Sequence, residues 1–386
     1  MRLVVACRPL YALSPASFFL RFSRPSISFF SGTKSISTSA HKKMETSQTP
    51  QIPDSFSGVE NSRTQLFLCA KGSSENNIAE SLKKSDALKL GDERLSVSLY
   101  SETVARENSL PFQIELYLSE LHADRFGRLI FWSPKMSSTQ DLVSQNFCEL
   151  PLGAVCVADV QVKGRGRSKN VWESPPGCLL FSFTLQMEDG RVVPLLQYVV
   201  SLSMTETIKS VCDAKGLPYV DVKIKWPNDL YLNGLKVGGI LCTSTYKSKK
   251  FNICAGVGLN VDNEKPTTCL NKVLKQYNCE SVLRREEILA AFFNKFEHFF
   301  DILTNQGFQA LEELYYKSWL HSGQKVLVEE RNGEQLVDNI PVTIEGLTSS
   351  GYLLAIGEDG KYYELHPDGN SFDFFKGLVQ RKLEAR

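Results

Sequence analysis

The amino-acid sequence predicts an α+β fold with a small strand-rich domain at its C-terminal end. Between about residues 128 and 320, short apolar strands alternate with amphipathic helical stretches, as in α/β or α+β packing. Asn233-Gly234 stands between two alternating runs, the strongest short-range signal for a β-hairpin, and the strands around it link into an antiparallel meander. From about residue 321 to 386 the pattern becomes short strands divided by Gly-containing turns, which predicts a small β-barrel-like domain.

Residues 1–43 hold seven Lys or Arg and no Asp or Glu, are rich in Ser and Phe, and have the composition of an organellar transit peptide, although a disordered tail is an alternative. A plastid is the first choice of destination and a mitochondrion the second. Met44, placed before the first acidic residue, offers a second start that would leave a cytosolic form. Residues 44–63 are polar and turn-prone and read as a linker. Residues 64–127 are expected to form a small N-terminal module, with strands at 65–69 and 95–100 and a short helix at 77–84.

In the central region, Leu129–Trp132 reads as a strand, Ser137 or Ser138 as the cap of a helix through Leu142, and Gly153–Val160 as an apolar strand. A Gly- and Arg-rich loop precedes the strand 179–187, and an amphipathic helix follows over 195–214. Strands at 222–226, 229–232, 236–246 and 251–258 make the meander, with a second hairpin turn at 247–250. Helices near 284–304 and 307–319 complete the domain, and strands at 326–329, 342–345, 352–355 and 362–365 make the tail.

The net charge of +1 conceals an asymmetry: residues 44–386 carry 37 basic and 43 acidic side chains, a net −6. That balance lacks the basic footprint of nucleic-acid binding, so no shift of RNA or DNA is expected at physiological salt. No apolar run approaches the roughly 20 residues of a membrane span, and no membrane partner is expected. The ten cysteines have no CxxC pair or metal-ligand spacing; Cys156, Cys178, Cys242 and Cys254 fall in apolar runs, where cysteine serves as a small hydrophobe. No metal site is predicted.

Four segments carry candidate chemistry. Gln161–Trp172 contains Gly164-Arg165-Gly166-Arg167, where glycines let a backbone approach an anion and the guanidiniums offer planar donors to carboxylate or phosphate. Taken alone it also fits a solvated basic turn. Lys225-Trp226-Pro227-Asn228-Asp229 puts a cation, an aromatic and two polar side chains at the end of an apolar strand, where a simple turn is the alternative. Lys236-Val-Gly-Gly-Ile and Gly256-Val-Gly-Leu-Asn260 place glycines inside strands, as close approach to the backbone or a bulge requires.

Together and in this order, the segments GRGRxxxxW, KWPND, KxGGIL and GxGxN resemble those of biotin protein ligases, strongly over about residues 128–270. The resemblance implies a catalytic domain similar to class II aminoacyl-tRNA synthetases over 128–320, followed by an SH3-like domain over 321–386. It implies activation of biotin by ATP, with Mg²⁺ on the nucleotide, and transfer to a lysine of the biotin carboxyl carrier domain of acetyl-CoA carboxylase and other biotin-dependent carboxylases.

Residue by residue, Ser138, Thr139, Gln140 and Gln161 would bind biotin. Arg165, Gly166 and Arg167 would lie over its carboxylate and the α-phosphate, and Lys236 would hold the reacting carboxyl oxygen. Lys225 would sit near the phosphates, with Trp172, Asn228 and Asn260 framing the nucleotide. Asp229 is a possible base or lysine-orienting carboxylate, or a turn cap. After GRGR some bacterial members continue with more arginine and glycine, whereas Ser168-Lys169-Asn170 stands here. The helix-turn-helix of members that repress transcription has no counterpart in the pattern, so DNA binding is not implied.

Overall fold

The computed structural model describes residues 63–386 except 103–111, 168–169, 264, 333–334, 368–369, 374–377 and 382–386. The expected leader at 1–43 and all but the last residue of the linker at 44–63 lie outside the described residues. The described residues belong to one unit of the chain, Val59–Arg386.

Ten described strands form one mixed sheet: β1 (Thr64–Ala70), β2 (Leu95–Leu99), β3 (Leu129–Met136), β4 (Val155–Arg165), β5 (Val171–Ser174), β6 (Cys178–Met187), β7 (Lys223–Lys225), β8 (Asp229–Leu232), β9 (Leu235–Lys247) and β10 (Lys250–Asn260). Their order is β2-β1-β3-β4-β6-β10-β9-β8-β7, with β5 paired to β4. The β1/β2 and β3/β4 pairs are parallel and the rest antiparallel.

The central strands are apolar on both sides because both faces are covered. Along β4, Val155 and Val157 join one core cluster while Cys156 and Ala158 join the other. The second face lies under α1 (Ser73–Ser85) and α3 (Thr139–Gln145), through Ala79, Leu82, Leu142 and Val143. The first face takes α2 (Ile114–Glu120), α4 (Leu196–Ala214), α5 (Leu270–Gln276), α6 (Arg285–Gln306) and α7 (Gln309–Ser318).

In α6, Phe292, Phe296 and Phe300 recur every fourth residue; Phe292 meets Phe181 and Phe183 of β6 edge-on, and Phe296 lies 5.1 Å from both Phe126 and Phe183. Replacing Phe296 by Ala would cost about 3–5 kcal/mol through lost burial and a residual cavity.

Hairpin turns set the meander. Asn233 and Gly234 both take left-handed backbone, at φ 50° and 77°, as a tight two-residue turn demands. Ser248 and Lys249 do the same at the second hairpin, at φ 52° and 64°. Residues 64–127, expected as a module of their own, instead add β1 and β2 to the edge of the catalytic sheet, where β1 pairs antiparallel with β3 from Phe67–Trp132 to Ala70–Leu129. The free edge of β3 would otherwise leave backbone donors and acceptors unpaired.

The C-terminal strands are β11 (Lys325–Asn332), β12 (Gln335–Leu347), β13 (Leu353–Gly357), β14 (Tyr362–Leu365), β15 (Asn370–Asp373) and β16 (Leu378–Arg381), in the order β14-β13-β12-β11-β16-β15. All pairs are antiparallel except β11 with β16. Val326, Val328, Val342, Ile344 and Leu353 continue the core of the main domain. The described cysteines are free thiols, and burial pushes those of Cys178 and Cys242 up to about 12. No described helix is long and apolar enough to cross a membrane.

Candidate active site

The Gly- and Arg-rich segment is not a free loop. β4 runs on through Arg165, and Gly164 and Arg165 pair with Trp172 and Val171 of β5, so the segment is a hairpin with a bulge after Gln161. Its tip is closed by Gly166 N donating to the Asn170 carbonyl at 2.8 Å. Arg165, which is largely exposed, pairs with Asp141 at 3.1 Å. Burial raises the Asp141 carboxyl, and Arg165 opposes the shift. Arg167 turns inward: Nη1 donates to Asn228 Oδ1 at 3.1 Å and Nη2 to the Pro367 carbonyl at 2.8 Å.

Lys225–Asp229 joins β7 to β8. Trp226 is buried, its backbone N–H donating to His321 Nε2 at 2.9 Å and its indole to Tyr198 Oη at 3.0 Å. Asn228 is fixed to β9 twice, by Nδ2 to the Ile240 carbonyl at 2.5 Å and by its own carbonyl accepting from Ile240 N at 2.8 Å. That leaves Oδ1 facing Arg167. Lys225 Nζ lies 5.6 Å from the centre of the Tyr231 ring.

Lys236 Nζ is 2.6 Å from Asp229 Oδ1 and 5.1 Å from the centre of the Trp172 ring. The motif glycines explain how the indole gets there. A Cβ on Gly258 would stand 2.7–3.1 Å from atoms of the Trp172 ring, and one on Gly239 3.3 Å. At Gly256 the approaching groups are the Gln140 amide and the Ser182 hydroxyl. The close approach that these glycines imply is made by the protein's own side chains. Asn260, at the end of β10, donates to the Thr268 carbonyl at 3.0 Å and to Thr267 Oγ1 at 3.3 Å.

The other end of the site is buried and polar. Ser138 caps α3, accepting from Asp141 N at 3.3 Å, and Ser138, Thr139 and Gln140 are buried. Gln161 Oε1 accepts from Thr139 N at 2.7 Å and Thr139 Oγ1 at 3.0 Å. Thr139 and Ser182 hydroxyls are 2.9 Å apart, and Ser182 donates to Gln140 Oε1 at 3.2 Å. Gln140 Nε2 donates to Thr243 Oγ1 and the Cys254 carbonyl.

All twelve sequence-predicted residues, Ser138, Thr139, Gln140, Gln161, Arg165, Gly166, Arg167, Trp172, Lys225, Asn228, Lys236 and Asn260, line one cavity of about 640 Å³. Its volume suits a ligand of small-molecule size. The cavity grades from buried hydroxyls and amides to a mouth with two arginines and two lysines. Ser182, Thr267 and Pro367 also line it and were not singled out in the sequence. Ser182 had a signal, a lone hydroxyl within the apolar run Leu179–Phe183. Among the described residues no group of three or more His, Cys, Asp or Glu is disposed to hold a metal.

Residues 132–260 match the biotin/lipoate A/B protein ligase family, and residues 321–377 match the biotin protein ligase C-terminal domain. Over 322 residues the chain is 64% identical to the chloroplastic biotin–protein ligase 1 of Arabidopsis thaliana, spanning 82% of this chain and 88% of that one. The chain belongs to the biotin protein ligase family. It is also 64% identical to Arabidopsis biotin–protein ligase 2, of which it spans 98%. Among solved structures, the biotin protein ligase of Aquifex aeolicus in complex with biotin and ATP superposes with a TM-score of 0.50 at 25% identity, covering 61% of this chain and 94% of that one. The α+β architecture is therefore that of biotin protein ligases, whose catalytic domain resembles class II aminoacyl-tRNA synthetases.

Proposed function

We propose that this biotin protein ligase activates biotin with ATP to biotinyl-5′-AMP and then transfers biotin to a lysine of biotin-dependent carboxylases. The observation that carries the reading is the grading of a single cavity from a buried polar end to a cationic mouth.

Ser138, Thr139, Gln140 and Gln161 suit a small ring bearing amide-like donors and acceptors, since they bring hydroxyl and amide groups, most of them on buried side chains, to the wall of the cavity. The biotin carboxylate then points towards Lys236 and Arg167, with Arg165 and Lys225 nearby for the phosphates. Trp172, Asn228 and Asn260 frame the nucleotide. Residues 128–320 would do the chemistry, with 321–386 closing it through Pro367.

In the first step a biotin carboxylate oxygen attacks the α-phosphorus and pyrophosphate leaves. The step requires alignment of two anions and neutralisation of the charge that develops, which Arg165, Arg167, Lys225 and Lys236 supply. In the second step the neutral amine of the acceptor lysine attacks the carbonyl of the mixed anhydride, and AMP leaves. Asp229, held at 2.6 Å by Lys236, is placed to orient that amine once Lys236 turns to the carboxylate. The described residues offer no carboxylate cage for Mg²⁺, so it would enter on the nucleotide phosphates, keeping most of its waters.

The acceptor is proposed to be the biotin carboxyl carrier domain of acetyl-CoA carboxylase and its counterparts in other carboxylases. Residues 1–43 would direct the chain to the chloroplast, in keeping with the chloroplastic relative, or to the mitochondrion, and a start at Met44 would give a cytosolic form.

The test is pyrophosphate release from ATP with biotin or lipoate offered separately. Release that requires biotin and is not supported by lipoate is expected. Release with lipoate alone would overturn the substrate.

A further inference from the structure

We infer that His321 is a positioning residue of this active site, an imidazole that holds the Lys225–Asp229 segment in place by accepting the backbone N–H of Trp226. The inference rests on the proposed ligase activity and adds to it a residue outside the cavity.

His321 lies between α7 and β11, where the chain enters the C-terminal domain, and is 0% exposed. Its Nε2 stands 2.9 Å from Trp226 N. A backbone N–H can only donate, so Nε2 is the unprotonated nitrogen and Nδ1 carries the hydrogen. Nδ1 in turn faces Gln324 Oε1 at 3.0 Å, an acceptor that selects this tautomer. The ring packs edge-on against Trp319 with centroids 5.4 Å apart.

The same seam is held at further points. Leu320 N donates to the Ile224 carbonyl at 2.9 Å, and the Trp226 indole donates to Tyr198, whose hydroxyl donates to the Gly351 carbonyl at 2.5 Å. Trp226 is thus fixed at its backbone and its ring by groups that do not line the cavity, while its neighbours Lys225, Asn228 and Asp229 do line it.

A buried backbone donor without an acceptor is costly, so loss of the imidazole nitrogen would shift the segment. Shifts of about 1 Å in such supports commonly slow chemistry by about 100-fold. The Ser138–Gln140 and Gln161 end is built on α3 and β4, away from this seam. Loss of His321 should therefore lower turnover without lowering biotin affinity.

The experiment uses the full chain with His321→Leu, His321→Gln and Gln324→Leu, each checked by circular dichroism, and measures kcat and KM for adenylate formation. His321→Leu is expected to lower kcat by about 30–100-fold with the biotin KM within about 2-fold. His321→Gln, whose Oε1 reaches the place of Nε2, should recover to within about 5-fold of the parent, and Gln324→Leu should lose about 5–10-fold. The inference is overturned if folded His321→Leu keeps its kcat, if His321→Gln is no better than His321→Leu, or if biotin KM rises in step. Should His321→Leu fail to fold, an unchanged kcat in Gln324→Leu overturns it. A parent chain that makes no adenylate would overturn the proposed function instead.

Discussion

Arg167 donates to Asn228 Oδ1 at 3.1 Å, joining the β4–β5 hairpin to the segment between β7 and β8 across 61 residues of sequence. Asn228 is held to β9 by its other amide atom, so the guanidinium meets a fixed acceptor. Preorganised charge of this kind is where an adenylating enzyme gains most.

Arg167→Ala should therefore slow adenylate formation by roughly 100-fold or more, equivalent to about 3 kcal/mol of transition-state stabilisation. Folding should survive, because the side chain is only partly buried and sits on a hairpin. Pyrophosphate release by a folded variant at the parent rate would refute the role.

Lys236→Ala should weaken biotin binding and adenylation together, since the ammonium is proposed to touch the same carboxylate in the ground and transition states. It would also leave Asp229 without its 2.6 Å partner at the cavity wall. Calorimetry with biotin, and turnover, would check it; unaltered values for both would reduce Lys236 to a hairpin lysine.

Gly258→Ala tests the seat of Trp172. A methyl group 2.7–3.1 Å from the indole must displace the ring from the nucleotide side of the cavity. The ATP KM should rise by about 10-fold while biotin affinity, set by Thr139 and Gln161, stays within about 2-fold. Equal effects on both substrates would show that Trp172 does not discriminate between the two ends.

The pH dependence of stability follows from His321. Burial, aided by Lys225 and opposed by the Gln324 hydrogen bond, pushes its pKa down from 6.5 to about 4. The unfolded chain therefore takes up a proton first as the pH falls. The contribution is complete above about pH 6.5 and is lost progressively towards pH 4, on the order of 3 kcal/mol in all. Urea unfolding at pH 7 and pH 5 should show about half of this loss in the parent and less in His321→Gln. An identical loss in both would assign the acid sensitivity elsewhere.

The leader reading has its own test. A fluorescent fusion of residues 1–60 should enter a plastid, or a mitochondrion, whereas a chain starting at Met44 should stay in the cytosol and biotinylate in vitro. A diffuse signal from the fusion would contradict the leader.

Much of this arrangement was legible because the motifs lie at the ends of strands that periodicity reveals, Lys225 and Asn260 closing β7 and β10 and Lys236 opening β9. Asn233-Gly234 announced the β8–β9 hairpin, and Ser137 or Ser138 announced the cap of α3, which the fold resolves to Ser138. The continuation of β4 to Arg165 was not legible, since Gly164 and Arg165 read as loop until β5 pairs with them. Helices α2 and α5 span seven residues each, too short for an apolar stripe to stand out. Pro367 and His321 reach the site through the docking of the C-terminal domain, which no local pattern encodes. The union of β1 and β2 with the catalytic sheet likewise depends on which edge remains open once β3 has paired with β4.

The most direct measurement is the intact mass of a biotin carboxyl carrier domain after incubation with this protein, ATP and biotin. The account predicts an increase by one biotinyl group on a single lysine, dependent on both ATP and biotin and largely lost with Arg167→Ala. An unchanged mass under conditions where the parent chain is folded, or an equal gain with lipoate in place of biotin, would contradict it.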